Sequence, residues 1–301
     1  MRLKICMLIS LSALFLSVSG QSDPQFSLHE FNRLQYNPAA TAQSNYINVH
    51  LSARQQWLGW DDAPATQSFS ISNYFDKLKI GVALTAINDT WGAESVRNIK
   101  LKYSYHVWFA DDKYLSFGLG TGVVIKTFDG SGLIFEQNPE PHNYTNTKTE
   151  TRLDFDFGME LHLSDFVLGV ASNHITQSYS ETELLRVPRH NYAYMSYNIA
   201  PTHDFSFLPT IAISHIDKVI LPEFRCAFSI KEKITAGIGY RLDEAMILFS
   251  KVQITEGISF AYSYDMAAGN LQSYRNGSHE ILLEIKIFKP QKYYNSPRFF
   301  D

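Results

Sequence analysis

The chain has 301 residues, with 26 Lys and Arg against 30 Asp and Glu, which gives a net charge of −4. This mildly acidic balance argues against a nucleic-acid partner, which calls for a basic face. Only two cysteines are present, and one of them lies in the apolar leader described next. The other, Cys226, therefore has no partner for a disulfide within the mature chain.

The first residues have the layout of a secretory signal peptide. Arg2 and Lys4 form a short positive region, residues 5–16 are almost wholly apolar, and small residues follow. We predict a signal peptide over residues 1–20, because the apolar stretch is too short to span a membrane. An uncleaved N-terminal helix is the alternative. The next residues, 21–45, are polar and poor in strand patterns, and we expect them to form a periplasmic N-terminal segment.

Alternation of apolar and polar residues is the strongest pattern after that segment. Over residues 153–163 every odd position is apolar and every even position is polar or glycine. Such a strand matches a tilted membrane crossing, which needs about 9–11 residues. No later apolar run approaches the roughly 18 residues of a membrane helix. A membrane protein made of this chain must then be a closed barrel, since lipid cannot satisfy free strand edges.

We therefore predict an all-β fold, a transmembrane antiparallel up-and-down β-barrel of about 14 strands over residues 46–288, an even number as in single-chain bacterial barrels. The predicted strands start near Tyr46, Thr66, Lys77, Ser95, Tyr114, Thr151, Asp165, Asn191, Phe205, Val219, Lys233, Glu244, Gly257 and His279. A soluble β-sandwich is the alternative fold.

Connection lengths favour the barrel. Tight turns are predicted at 164–165, 231–233 and 255–257. Long connections are predicted at 58–65, 88–94, 127–150, 174–190 and 266–278. Such barrels have short periplasmic turns and longer outer loops, and a sandwich has no reason to separate the two kinds. The protein is thus expected in a bacterial outer membrane with both termini periplasmic, including a C-terminal tail at 289–301.

Five charged or titratable side chains share one face of the 153–163 strand, if the residue before it is included. They are those of Arg152, Asp154, Asp156, Glu160 and His162. The three carboxylates could bind Ca²⁺ or perform acid–base chemistry. The alternative is a polar lumen in which they pair with basic residues of neighbouring strands, and we favour it because the barrel demands polar residues there.

Other candidate motifs carry no chemistry. No local trio of nucleophile, base and orienting group is present, and the histidines form no short-spaced metal motif, so no enzyme, cofactor or metal site is predicted. Gly118, Gly120 and Gly122 lie in a strand with no helix after it, which excludes a dinucleotide-binding loop. We expect these glycines to leave room for a plug or a neighbouring side chain.

Motifs at both ends of the chain resemble the PorP/SprF family of type IX secretion membrane proteins. The first is Gln21-Ser22-Asp23-Pro24-Gln25-Phe26-Ser27, followed by Phe31 and Asn37-Pro38-Ala39. The most specific is Arg54-Gln55-Gln56-Trp57-Leu58-Gly59-Trp60, followed by Ala63-Pro64 and Thr66-Gln67-Ser68. The third is Gly277-Ser278-His279-Glu280-Ile281 with Leu283, which resembles the family's last strand.

The resemblance implies a non-enzymatic outer-membrane barrel of the Bacteroidota that assists secretion or surface attachment of cargo proteins, including gliding adhesins. Its implied partners are outer-membrane lipid, type IX secretion subunits and the cargo. Some relatives carry a peptidoglycan-binding domain, which this chain lacks, so a separate peptidoglycan-binding partner is expected. A porin-like passive channel or uptake protein is the alternative function, and an outer-membrane hydrolase is a second one.

The most specific motif supplies a candidate partner-contact site at the outer rim, made of Arg54, Gln55, Gln56, Trp57 and Trp60. Side chains of these types can hydrogen-bond a strand or loop lying across the barrel mouth. The alternative, which we favour, makes both tryptophans anchors in the membrane interface and pairs Arg54 with a luminal carboxylate.

Overall fold

The computed structural model describes residues 24–41, 46–132, 147–176, 187–217, 219–268 and 277–288. The predicted signal peptide and C-terminal tail lie outside these ranges, as do the middle parts of the connections after residues 132, 176 and 268. Within the described ranges no helix has the length and hydropathy needed to cross a membrane.

The described residues form fifteen strand segments of one antiparallel sheet. They are β1 (Tyr46–Gln55), β2 (Ala65–Phe75), β3 (Ile80–Trp91), β4 (Glu94–Ala110), β5 (Lys113–Asp129), β6 (Thr147–Leu163), β7 (Phe166–Asn173), β8 (His190–Tyr197), β9 (Ile199–Thr202), β10 (Phe205–Ile216), β11 (Val219–Ile230), β12 (Ile234–Arg241), β13 (Ala245–Thr255), β14 (Ile258–Ala267) and β15 (Ser278–Phe288).

The sheet closes on itself into a barrel. Segment β9 continues β8 and pairs with the same neighbour, β10, so the fifteen segments make fourteen crossings. The first and last strands pair from Tyr46↔Phe288 to Gln55↔His279, and β10 pairs with β11 along its whole length. The predicted fold, an antiparallel barrel of 14 strands, is confirmed.

Most strands begin within two residues of their predicted starts. Strand β3 begins at Ile80 because Lys79 has a φ of 58° and still belongs to the turn. Strand β6 begins earlier than predicted because its pairing with β5 continues to Asp129↔Thr147. The long connection predicted at 88–94 is only the turn 92–93, since β3 and β4 pair up to Trp91↔Glu94.

Connections of up to four residues occur at both ends of the barrel, and the four longer ones, 56–64, 130–146, 174–189 and 268–277, all lie at the same end. At one end, called the tight-turn end, the connections are 76–79, 111–112, 164–165, 203–204, 231–233 and 256–257. At the other, called the long-loop end, they are 56–64, 92–93, 130–146, 174–189, 217–218, 242–244 and 268–277. Strand β1 begins and β15 ends at the tight-turn end.

The barrel is apolar outside and charged inside. On β6 the outward side chains of Leu153, Phe155 and Phe157 are 69%, 42% and 40% exposed, whereas Asp154 and Asp156 are buried. A water-soluble domain buries the opposite set. Exposed apolar rows are stable when the surrounding solvent is lipid, and the predicted alternation between hydrocarbon and lumen accounts for this arrangement.

Residues 24–41, called the luminal segment, lie inside the barrel. They form three short 3₁₀ turns, at His29–Phe31, Arg33–Gln35 and Pro38–Ala40. The segment starts near the long-loop end, where the Ser27 amide bonds Glu280 of β15, and reaches the tight-turn end, where Ser104 donates to the Thr41 carbonyl. The described part of the expected periplasmic segment 21–45 therefore occupies the lumen, where groups of the barrel wall bond Ser27, Arg33 and Thr41.

Part of the luminal segment is held by apolar contact. Leu28 belongs to a buried cluster with inward-facing side chains of β11, β13, β14 and β15, and Phe31 packs against that cluster. The Phe31 and Phe249 rings meet edge to face with centroids 6.1 Å apart. This side of the lumen is a small hydrophobic core, which differs from the uniformly polar lumen that the sequence predicted.

Candidate functional site: the plugged barrel lumen

The start of the luminal segment is fastened by Arg54. Its guanidinium pairs with Asp265 at 2.7 Å and with Glu280 at 3.3 Å, and all three side chains are at most 4% exposed. Arg54 also donates to the Ser27 hydroxyl at 3.0 Å, and that hydroxyl donates to Asp265 at 2.6 Å. One guanidinium fork thus donates to both carboxylates and at the same time holds Ser27.

The rest of the rim motif lies above this cluster at the long-loop end. The backbone amide of Gln56 donates to the Pro64 carbonyl at 2.9 Å, and the side-chain amide of Gln55 donates to the same carbonyl at 3.4 Å. The Trp57 and Trp60 rings meet edge to face with centroids 6.5 Å apart, and Trp60 is 54% exposed. The motif therefore divides into a buried arginine that holds the luminal segment and tryptophans at the outer surface of the loop.

A second fastening point surrounds Glu223 on β11. This carboxylate forms ion pairs with Arg241 at 2.8 Å and Arg225 at 3.1 Å, and it lies 2.8 Å from the His29 ring of the luminal segment. Arg225 also donates to the Ser27 carbonyl. Two arginines on neighbouring strands thus share one acid that also binds the segment.

The charged face of β6 supplies a third fastening point. Glu160 is fully buried and accepts from Arg33 of the luminal segment at 3.1 Å, from His162 at 2.5 Å and from the Tyr194 hydroxyl. Asn37 bonds the Tyr194 hydroxyl at 3.0 Å. Of the five predicted luminal residues, Glu160 therefore contacts the segment directly, and His162 bonds Glu160.

The other three members of that face lie elsewhere. The Lys100 ammonium lies 2.6 Å from both Asp154 and Asp156, and His174 lies 2.7 Å from Asp154. Arg152, nearer the long-loop end, is 3.9 Å from Glu150. Lysine occupies the space between the two aspartates, and among the described residues no group of three His, Cys, Asp or Glu side chains could hold a metal ion.

Glycines make room for the far end of the luminal segment. A Cβ on Gly118 would lie 2.1 Å from the Ala39 amide nitrogen, and one on Gly158 would lie 2.0 Å from the Asn37 side chain. Ser116 donates to the Ala39 carbonyl at 2.7 Å. The expectation that Gly118 leaves room for a plug is confirmed, and a Cβ on Gly120 would crowd Asp156 at 3.0 Å.

Sequence reasoning missed most residues of the segment that bind the wall. His29 and Arg33 stand in a short stretch without strand alternation, so nothing local connects them to Glu223 and Glu160. Lys102 of β4 is buried in the lumen, and its ammonium donates to the Leu34 carbonyl at 2.6 Å.

A closed antiparallel barrel with an apolar exterior and a charged, filled lumen is an outer-membrane barrel. The chain belongs to the PorP/SprF family, since the model of "Type IX secretion system membrane protein PorP/SprF" matches residues 18–285. The protein is therefore an outer-membrane barrel related to type IX secretion. No curated protein matches the chain.

Solved barrels share the fold. The CymD monoaromatic hydrocarbon channel aligns with a TM-score of 0.55 at 10% identity, over 86% of this chain and 93% of that one. The Ralstonia pickettii toluene transporter TbuX aligns with a TM-score of 0.52 at 9% identity, over 84% and 93%. At these identities the likeness concerns the fold alone.

Proposed function

We propose that the protein is a non-enzymatic accessory barrel that assists secretion or surface attachment of cargo proteins by the type IX system, gliding adhesins included. Membership of the family supports the secretion role. The filled lumen supports docking over conduction, because the luminal segment is bonded to the wall at the Arg54, Glu223 and Glu160 clusters. The filled lumen is the observation that carries the proposal.

The connection lengths support an orientation. We place the tight-turn end in the periplasm and the long-loop end outside, following the usual asymmetry of such barrels. The C-terminal tail after Phe288 is then periplasmic. The start of the luminal segment lies instead near the outer mouth, where Gln25 accepts from Arg241. The earlier expectation of two periplasmic termini is kept for the C-terminus only.

In this orientation Trp60 faces a partner at the cell surface, and type IX subunits, lipid and a separate peptidoglycan-binding partner surround the barrel. The test is a deletion strain, grown beside its parent, in which the proteins on the cell surface are quantified. We expect at least one secreted protein to leave the surface and to return on complementation. An unchanged surface profile would refute the secretion role.

Docking at the rim has its own test. In the deletion strain complemented with Trp60→Ala, we expect less of that cargo on the surface than with the wild-type protein. Phe109→Ala, which changes an exposed aromatic of β4 near the opposite end, should restore the wild-type amount. Heat-modifiable migration of the barrel on gels checks that both variants fold. Equal secretion by the two variants would remove the rim from the proposal.

A passive porin makes the opposite prediction. Purified protein in planar bilayers should show no sustained conductance while the luminal segment remains bound. A steady open current from the unmodified chain would favour the porin and would overturn docking as the main function.

A further inference from the structure

The luminal segment leaves a pocket along one wall of the barrel. The pocket has a volume of about 80 Å³ and lies between the segment and strands β8, β10 and β11. Ile216 and Leu221, on either side of the 217–218 turn, belong to its lining, so it lies towards the long-loop end. Deeper lining residues include Glu30, Tyr36, Tyr192, Leu208, Thr210 and Ala212.

The pocket walls are suited to an apolar body. The inward side chains of β10 along the pocket are small or apolar, at Leu208, Thr210 and Ala212, whereas charged side chains fill the lumen opposite. The rings of Tyr36 and Tyr192 stack on each other with centroids 4.7 Å apart, and both residues line the pocket. Aromatic faces favour apolar groups and cations.

Two polar atoms of the pocket have no hydrogen-bond partner among the described residues, the Glu30 Oε2 atom and the Thr210 Oγ1 atom. The Glu30 side chain is 7% exposed, and its nearest cation, Arg225 Nη1, lies 3.8 Å away, beyond hydrogen-bond distance. A buried carboxylate oxygen without a donor is costly. The pocket therefore presents acceptors that a bound donor would satisfy.

The charge around the pocket favours a cation. Each arginine nearby already has an acid partner, since Arg33 pairs with Glu160 at 3.1 Å and Arg241 pairs with Glu223 at 2.8 Å. The cluster comprises the carboxylates of Glu30, Glu160, Glu223 and Glu244 and the guanidinium groups of Arg33, Arg225 and Arg241. With every carboxylate ionised and histidine neutral, one negative charge is left over. Burial raises the pKa of the Glu30 carboxyl, and a bound cation lowers it again.

We propose that this pocket binds an organic ammonium, a protonated amine on a short apolar body. The ammonium donates to Glu30 and Thr210, and the apolar body lies against Tyr36 and Tyr192. The ligand enters from the long-loop end beside the 217–218 turn. This binding site is independent of the secretion role.

The experiment measures binding of hexylammonium to the purified full barrel in detergent micelles by isothermal titration calorimetry. Hexanoate and hexanol, with the same chain length, are the matched probes. We expect hexylammonium to bind and hexanoate to bind at least tenfold more weakly. Equal affinities for the ammonium and the carboxylate, or no binding of hexylammonium, would overturn the proposal.

Variants locate the site. Glu30→Gln keeps the side-chain shape and removes the charge, and we expect it to weaken hexylammonium binding about tenfold or more, since a charge-assisted hydrogen bond is lost. Ala212→Trp fills the pocket and should abolish binding. Ile211→Trp, on the lipid-facing side of the same strand and outside the pocket lining, is the control for partitioning into the micelle and should bind as the wild type does. Unchanged binding by both Glu30→Gln and Ala212→Trp would place the amine elsewhere and refute the assignment.

Discussion

Arg54→Ala tests whether the luminal segment is held by the buried ion pairs. The substitution leaves Asp265 and Glu280, at most 4% exposed, without their cation, and it removes a donor to Ser27. Breaking a buried pair by removing one partner costs about 3–5 kcal/mol. The carboxylates regain water when the segment leaves, so this cost favours the released state. It raises the population of that state by up to about 10²·²–10³·⁷, at 1.36 kcal/mol per tenfold.

Trypsin reports the released state, because Arg33 lies within the luminal segment, inside the barrel, where its guanidinium pairs with Glu160. Under conditions where release is fast compared with cleavage, the rate of cutting after Arg33 follows the population of the open form. We expect a rise of at least a hundredfold in Arg54→Ala. The exposed, outward-facing Arg97 provides the control variant Arg97→Ala, which should cut at the wild-type rate.

A further variant separates charge from shape. Adding Asp265→Asn and Glu280→Gln to Arg54→Ala removes the uncompensated charges, so cleavage after Arg33 should return part of the way towards the wild-type rate. A rate for Arg54→Ala within twofold of the wild type, with the barrel folded, would refute the view that this cluster fastens the segment.

Three more outcomes follow from the same contacts. Gly118→Val should expel the end of the luminal segment and speed its proteolysis, because the added Cβ meets the backbone, whereas Gly132→Ala meets nothing within 4 Å and should leave proteolysis unchanged. Deleting residues 24–41 should give a folded barrel with steady conductance in planar bilayers, and a closed barrel would contradict the plug. Phe157→Arg, in the middle of the lipid-facing row, should cost about 2–4 kcal/mol in urea titrations of folding into vesicles, against about 0–1 for Leu153→Arg near the rim; equal costs would exclude a membrane crossing by β6.

The strands of the barrel could be predicted from the sequence because a local rule, the alternation of side chains, sets whether each residue faces lipid or the lumen. A residue of β6 such as Phe155 faces lipid, and its neighbour Asp156 faces the lumen, so each strand records its two environments in its own alternation. The turns could be predicted for the same reason, except where strand pairing continues past the predicted end of a strand, as it does before the turn 92–93.

The luminal segment could not be predicted in the same way. Ser27 is bonded to Glu280, 253 residues further along the chain, and contacts of that separation leave no periodic trace. One signal was nevertheless present. Strand β13 alternates poorly because Ile247 and Phe249 face inward and belong to the cluster with Leu28. An apolar residue on the luminal face of a barrel strand indicates that something apolar fills the lumen beside it.

The tryptophans of the rim motif follow Arg54 closely in the chain, and both parts of the motif bond strand β15, which also bonds the luminal segment. Trp57 has a φ of 45°, and its amide donates to the Ser278 hydroxyl at 3.3 Å, at the start of β15. Glu280, on the same strand, holds both Arg54 and Ser27. The tryptophan loop, Arg54 and the luminal segment are therefore linked through β1 and β15, and a partner that docks on this loop, as proposed above, would act on the two strands that hold the segment.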